Sequence, residues 1–381
     1  MIEKAEYVAR ISKLAARMRQ SGLDGILLTA ESNIDYFSGF RHHAPWTLFA
    51  RPFFQIISAD GRSALLTHTF LEPEMRRTSA VTDIRTFTTS GDAPVAQVRE
   101  IMSELGIQRG KLGMELGYEQ RLGISLNDFR RLETELSGIA IVDASMLLWS
   151  LRMIKSPAEI ELMRQSSAVT SAAFAAGFSA ARPGMTDAEL CQVCATTMVE
   201  QGAERPGFIL VTSGPKNYHV LSGKPTDRKL ERGDMIWIDM GAVTNGYWSD
   251  FCRAAVFGKP TKELEDGQKV ILDVNDAMIA ATRLGEPLRN IAAAAVQAFK
   301  KSGRDVSIGS GRIGHGIGLM STEPPHVALY DETVCEEGLV FTIEPRFFNR
   351  SGVFNCEELV IVEPTGAHVL TDAPRGITAI G

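Results

Sequence analysis

Residues 235–257 read MIWIDMGAVTNGYWSDFCRAAVF. Runs rich in Ile, Val, Trp and Phe flank the turn formers Thr244, Asn245 and Gly246, the pattern of two strands joined in a hairpin. Its acids are unusually placed. Asp239 sits within an apolar run, and Asp250 follows Tyr247 and Trp248. With Thr244-Asn245 as a two-residue loop, the two aspartates lie directly opposite each other. With Asn245-Gly246, the better type I′ pair, Asp250 faces Gly241 and Asp239 is its diagonal neighbour. Both registers put the carboxylates on one face, because moving the pairing sum by two preserves side-chain parity. Like charges that close repel across a sheet, and more so when desolvated. Something positive is expected between them.

Two further acids have the same look. Glu344 lies in LVFTIEPRFF (339–348) and Glu357 in VFNCEELVIV (353–362). A glutamate flanked by apolar strand residues is uncommon unless it is paired or ligating. Each alone also fits the solvent face of an amphipathic strand, and the adjacent Glu358 must point opposite to Glu357. A histidine, His315, joins them in GSGRIGHGIG (309–318). The first six letters of that stretch fit the dinucleotide fingerprint G-x-G-x-x-G, which requires a helix to follow. Here Gly314, Gly316 and Gly318 are followed by Pro324 and Pro325, so no helix starts and no helix N-terminus can hold a phosphate. The glycines indicate tight backbone turns around His315. Four carboxylates and one imidazole suit a pair of divalent ions: Mn, Fe or Co, with Zn less typical. A hydroxide bridging two ions roughly 3.5–4 Å apart is a nucleophile at neutral pH.

Bulk properties narrow the setting. With 381 residues the chain is long enough for two domains, and its composition, 44% hydrophobic and 23% charged, is that of a soluble globular protein. A net charge of -6 argues against a nucleic-acid partner. No stretch approaches the roughly 18 apolar residues of a membrane span, and the charged N-terminus is not that of a secretory signal. Five scattered cysteines form no disulfide framework, so a cytoplasmic location is expected. Cys191 and Cys194 make a CxxC, but within a helical pattern, where two small packing residues are the plainer reading.

Along the first 145 or so residues helices alternate with strands, the rhythm of an α/β layered domain. Strands are expected at GILLT, KLGMEL and GIAIVDA, and a pair around Asp60-Gly61. Near residue 152 the character changes to long helices. One opens at Ser156-Pro157 with Glu159, and another at Thr186 with Glu189 in capping-box spacing. Two more are expected from about Leu264 to Arg283 and from Pro287 to Ser302, and the end is strand-rich. The second domain thus reads as helix-helix-strands twice over.

These residues resemble the creatinase/prolidase/methionine-aminopeptidase family, over nearly the whole chain. The family's metal motif is D-x-G, then Y-x-S-D-x-x-R, G-H-G-x-G, T-x-E-P and a final strand glutamate. Asp239 to Gly241, Tyr247 to Arg253, Gly314 to Gly318, Thr342 to Pro345 and Glu357 fit it in order. The resemblance implies a creatinase/prolidase-like α/β N-terminal domain over 1–152. Over 153–381 it implies an α+β "pita-bread" catalytic domain, with a curved, mostly antiparallel sheet and flanking helices. It implies two divalent metal ions on Asp239, Asp250, His315, Glu344 and Glu357, with Asp250 and Glu357 bridging and Glu344 also transferring protons. His219, in SGPKNYHVLSGK, falls where the family has a substrate-contacting histidine, although by itself it is a loop histidine. The stretch FRHHAPWTLFARPFF (40–54) resembles a region that reaches a partner's site across a homodimer, which makes His42, His43, Trp46 and Arg51 substrate candidates. A partly exposed loop with one packed tryptophan fits that stretch equally.

The departures bear on substrate. Xaa-Pro peptidases of the family carry a histidine where this chain has Thr322, and another where it has Gly311. The arginine often found two before the last glutamate is Asn355, and Arg346 replaces the glycine of T-x-E-P-G. The ligand set is complete while the residues around the substrate, Thr322 and Arg346 among them, are altered. The leading expectation is a metal-dependent hydrolase of Xaa-Pro dipeptidase or aminopeptidase type, cleaving a C–N bond with a metal-bridging hydroxide. The alternatives are a lyase or hydrolase of a small osmolyte or nitrogen compound, of dimethylsulfoniopropionate-lyase or creatinase type, and a non-catalytic binding protein on the same scaffold.

Overall fold

A computed structural model describes residues 2–42, 52–89, 91–304 and 311–381. The chain divides into two compact units, Ile2–Arg152 and Met153–Gly381. The first is built on a six-stranded sheet in the order Asp83–Phe87, Ser63–His68, Phe54–Ser58, Gly25–Leu28, Gly110–Met114, Ile139–Asp143. Phe54–Ser58 runs antiparallel to both neighbours, and the other pairings are parallel. Leu27, Ile56, Leu66 and Leu112 are fully buried in the core on one side.

One helix of this unit, Glu31–Ser38, is not indicated by its sequence, ESNIDYFS, which is rich in poor helix formers. Its N-cap is Ala30, which offers no side-chain acceptor. The buried Glu115 does that work from another strand end. Its carboxylate accepts from the Thr29 and Ala30 backbone N–H groups at 2.9 and 3.1 Å and from Asn33 Nδ2 at 2.9 Å. A carboxylate there satisfies orphan donors and complements the helix dipole.

In the second unit the helices Pro157–Ala180 and Asp187–Glu200 both open with complete capping boxes, Ser156 with Glu159 and Thr186 with Glu189. These two helices pack together, with Gly177 leaving room for the Cys194 sulfur, which a Cβ there would approach to 2.6 Å. Cys191 and Cys194 are both free thiols, and Cys194 is a packing residue. The helices Lys262–Ala281 and Leu288–Lys301 form the second pair.

Each pair is followed by strands. Arg205–Ser213, Met235–Thr244 and Phe251–Phe257 form an antiparallel group, with Thr378–Ile380 added in parallel. His315–Gly316, Glu323–His326, Val340–Ile343, Glu358–Glu363 and Gly366–Val369 form a second sheet, antiparallel throughout.

The opening hairpin takes the second of its two registers. Asn245 and Gly246 have φ of 46° and 80°, as a type I′ turn needs, and Thr244 pairs with Tyr247 and Cys252 with Asp239. The same register sets Asp250 opposite Gly241. A Cβ at Gly241 would lie 1.9 Å from the Ser249 carbonyl oxygen, so the glycine of D-x-G is required by backbone contact.

The two expected C-terminal strands are both broken. Val340–Ile343 resumes as Arg346–Phe348, and Val353–Asn355 resumes as Glu358–Glu363. Glu344 falls in one gap and Glu357 in the other. The pairs Ile343–Glu358 and Arg346–Asn355 flank the gaps in one continuous register, which places Glu344 opposite Glu357. Asp250 falls in a third gap, before Phe251, and His315 sits at a β-bulge. Interruptions of this kind free a side chain from the regular pleat and re-aim it.

Arg253 ties the two sheets together. Its buried guanidinium donates to Glu358 Oε2 at 3.0 Å, to the Glu357 carbonyl at 2.7 Å and to the Ala373 carbonyl at 3.1 Å. Replacing Arg253 with Met leaves the buried Glu358 carboxylate without this partner. The expected loss is about 3–5 kcal/mol of unfolding free energy. Urea denaturation of Arg253→Met against the parent checks this, and a loss under about 1 kcal/mol contradicts the assignment.

Candidate metal centre

The metal-ligand atoms of Asp250, His315 and Glu357 lie within 4.8 Å of one another. His315 Nε2 is 3.6 Å from Asp250 Oδ2 and 3.9 Å from Glu344 Oε1. Asp250 and His315 are each 6% exposed and Glu357 is 2% exposed, whereas Asp239 and Glu344 are half-buried. Asp239 Oδ1 is buried with no hydrogen-bond partner.

Electrostatics give these groups a common problem. Burial, then the Glu344 charge, pushes the Asp239 carboxyl up to about 7, against the opposing field of Arg346. Burial, with Asp239 and Glu344, raises Asp250 well above the ordinary carboxylate range, opposed by Arg312. Burial, with Asp250, Asp239 and Glu344, does the same to Glu357, opposed by Arg346. Each carboxylate is thus held in a place that disfavours its charge.

His315 completes the set. Burial pushes its imidazole below its ordinary value, an effect only partly offset by Glu344, so the ring is held neutral. Its Nδ1 is 3.0 Å from the Gly316 carbonyl oxygen, which can only accept. Nδ1 therefore carries the proton and Nε2 presents a lone pair toward the carboxylates, the tautomer in which histidine ligates metals. Neutral imidazole and oxygen donors in this number fit borderline and hard divalent ions.

Surrounding motif residues hold the backbone. Tyr247 donates its hydroxyl to Glu159 Oε1 at 2.9 Å, joining the hairpin to a helix capping box. Ser249 Oγ lies 2.8 Å from Thr170 Oγ1 and accepts from the Ala242 N–H at 3.1 Å. The Glu357 N–H donates to Cys252 Sγ at 3.3 Å.

The other sequence candidates are distributed differently. Arg346 is at the cluster, donating from Nη1 to Glu344 Oε2 at 2.9 Å. Thr322 is half-buried and precedes Glu323, whose buried carboxylate accepts from the Met320 N–H at 3.0 Å and lies 3.8 Å from the buried Lys155 ammonium. His219 is exposed in the turn after Arg205–Ser213. His42 is half-buried in the N-terminal unit beside the rings of Phe40 and Phe53. His43, Trp46 and Arg51 lie outside the described residues.

Sequence reading passed over Arg312 and His326. Arg312 Nη1 is 2.9 Å from His326 Nε2, and His326 Nδ1 is 2.9 Å from the Tyr330 hydroxyl. His326 is the cross-strand partner of His315, a signal visible only once the strands are paired.

The model of metallopeptidase family M24 matches residues 161–364, more than half of the chain. The chain belongs to this family. The model of the creatinase/prolidase N-terminal domain matches residues 10–154. A Xaa-Pro dipeptidase of Pyrococcus furiosus is 26% identical over 368 residues, spanning 96% of this chain and 98% of that protein. A Xaa-Pro dipeptidase structure from Bacillus anthracis superposes with a TM-score of 0.84 at 26% identity, covering 99% of this chain and 100% of that one. An X-Pro aminopeptidase structure from Thermotoga maritima shares the fold, with a TM-score of 0.83 at 24% identity over 97% of this chain and 99% of that one. The two-domain pita-bread architecture and a metal-dependent hydrolase follow from this membership.

The raised carboxyls set a pH dependence for protein kept in chelator. Their folded-state pKa values exceed the unfolded value of about 4, so the folded state binds protons more tightly. Stability from these groups is present below the unfolded pKa and is lost as pH rises toward the folded one, which for Asp239 is about 7. The urea midpoint in chelator is expected to fall from pH 5 to pH 8, and to fall less in Asp239→Asn. An equal or steeper fall in the variant contradicts the assignment.

Proposed function

We propose that this chain hydrolyses the peptide bond preceding proline in short Xaa-Pro substrates, with two divalent metal ions held by Asp239, Asp250, His315, Glu344 and Glu357. The clustering of Asp250 and Glu357 about the neutral imidazole of His315, with Glu344 3.9 Å from that ring and the Glu344 charge acting on Asp239, carries the reading. The full-length likeness to Xaa-Pro dipeptidases supports the substrate. Oxygen donors with a single imidazole favour manganese, with cobalt, iron or zinc as other suitable ions. When bound, such ions neutralise the carboxylates, acidify a coordinated water and polarise a carbonyl.

The protein's own side chains do the rest. By the family resemblance, Asp250 and Glu357, the two least exposed acids of the cluster, would hold both ions. Glu344, half-buried and less enclosed than Asp250 or Glu357, takes a proton from the attacking water and returns it to the departing proline nitrogen. Arg346 holds the second oxygen of Glu344, fixing how that carboxylate is presented. By the family resemblance, His219 and Thr322 are substrate contacts of the second unit, while His42, with His43 and Trp46 outside the described residues, would reach the site of a partner in a homodimer. Five free thiols fit a cytoplasmic setting, and the family resemblance supports a homodimer.

Chelated protein is expected to be inactive on Ala-Pro and to recover activity with Mn²⁺ or Co²⁺. Glu344→Gln is expected to lower kcat by about 10²- to 10⁴-fold while the fold is retained by circular dichroism. Steady-state assay across an Xaa-Pro panel, with elemental analysis, checks both. Undiminished hydrolysis in chelator, or no cleavage of any Xaa-Pro substrate by the reconstituted protein, contradicts the proposal.

A further inference from the structure

Between His315 and Thr322 the chain runs through Gly318, Leu319, Met320 and Ser321, a stretch that joins two strands of the second sheet. Residues 319–322 are half-buried, so packing alone fixes their course weakly. Two hydrogen bonds of this stretch are local. The Gly318 N–H donates to the Met320 carbonyl at 3.1 Å, and the Met320 N–H to Glu323 Oε1 at 3.0 Å. Two more come from a single residue of the opening hairpin. Trp248 donates its backbone N–H to the Gly318 carbonyl at 2.9 Å and its indole Nε1–H to the Leu319 carbonyl at 3.1 Å.

Trp248 is itself held firmly. It pairs with Val243 beside the type I′ turn, two residues before Asp250. Gly207 lies at a β-bulge in Arg205–Ser213 and leaves room for the ring: a Cβ there would come within 2.5 Å of Trp248 Cζ3. The Arg205 guanidinium lies 4.9 Å from the ring centroid, a cation–π stack. A residue that only pairs in a hairpin needs none of this, since many β-formers serve there. The bulge, the bare glycine and the stacked arginine all serve the indole. Fixed on the hairpin of Asp250 and bonded to the loop of Thr322, the ring joins the two sheets beside the cluster.

We infer that Trp248 is a positioning residue: its indole N–H holds the 318–322 loop so that Thr322 meets the substrate, without acting on the metal ligands. This rests on the proposed peptidase reading. The backbone bond to Gly318 is the one nearer His315, and it survives substitution of the side chain at 248. The indole bond reaches one residue further toward Thr322. Loss of the indole N–H therefore loosens the substrate end of the loop and spares the ligand end.

The test is Trp248→Phe, which keeps an aromatic ring over Gly207 and removes the donor. With manganese-loaded protein and Ala-Pro, KM is expected to rise roughly 3- to 10-fold, with kcat and the calorimetric affinity for Mn²⁺ unchanged. In a Thr322→Ala background the same substitution is expected to add little to KM, because both changes remove one interaction. A fall in Mn²⁺ affinity would place the effect at His315 and Asp250. Additive losses in KM would separate Trp248 from Thr322, and an unchanged KM would mean that the bond holds nothing the substrate uses. Each of these overturns the inference. If Trp248→Phe does not fold, Trp248→benzothienylalanine, which exchanges the N–H for sulfur at nearly the same shape, carries the comparison with the same expectations.

Hydrogen–deuterium exchange separates this from failure of the peptidase reading. If the parent cleaves no Xaa-Pro substrate, that reading fails, and the amides of 318–322 then decide. Exchange faster by roughly 3- to 10-fold in Trp248→Phe supports the fastening of the loop, and unchanged exchange overturns it.

Discussion

Four carboxylates of the second unit gather around one imidazole, and for three of them burial makes the charged form unfavourable. Burial and mutual repulsion push Asp239, Asp250 and Glu357 toward protonation. The two nearby guanidiniums, Arg312 and Arg346, act from the side and oppose the effect without abolishing it. A fold that holds like charges together against their repulsion must be stabilised elsewhere. Here two sheets, two capped helix pairs and the Arg253 bridge hold the backbone while the acids sit at its interruptions. Divalent cations, which these donors suit, would supply the compensating charge.

Much of this was legible in the sequence because much of it is local. The hairpin of residues 235–257 needs only parity and turn chemistry to put Asp239 and Asp250 on one face. The structure chooses between its two registers through the positive φ of Asn245 and Gly246. Both capping boxes were readable from serine or threonine three residues ahead of glutamate. The order of the five metal-type residues matched a known motif, and family membership followed from the chain's full-length match.

What escaped is non-local. LVFTIEPRFF and VFNCEELVIV read as unbroken strands, because apolar propensity does not show where pairing stops. The breaks at Glu344 and Glu357 become visible only when the flanking pairs are set side by side. Glu115 caps the Glu31–Ser38 helix from more than eighty residues away, so that helix has no sequence signal of its own. Arg312, His326 and the facing of Arg346 with Asn355 likewise exist only in the paired strands. Two departures that looked independent in sequence, at 346 and 355, prove to be one cross-strand pair.

The central claim is that these five side chains hold cations. Anomalous scattering from crystals grown with Mn²⁺ tests it most directly. The account predicts two peaks per chain, flanked by Asp250 and Glu357 on shared sides, with His315 Nε2, Asp239 and Glu344 completing the shells. Ordered side chains in that pocket with no anomalous peak at saturating Mn²⁺, Co²⁺ or Zn²⁺ would contradict it.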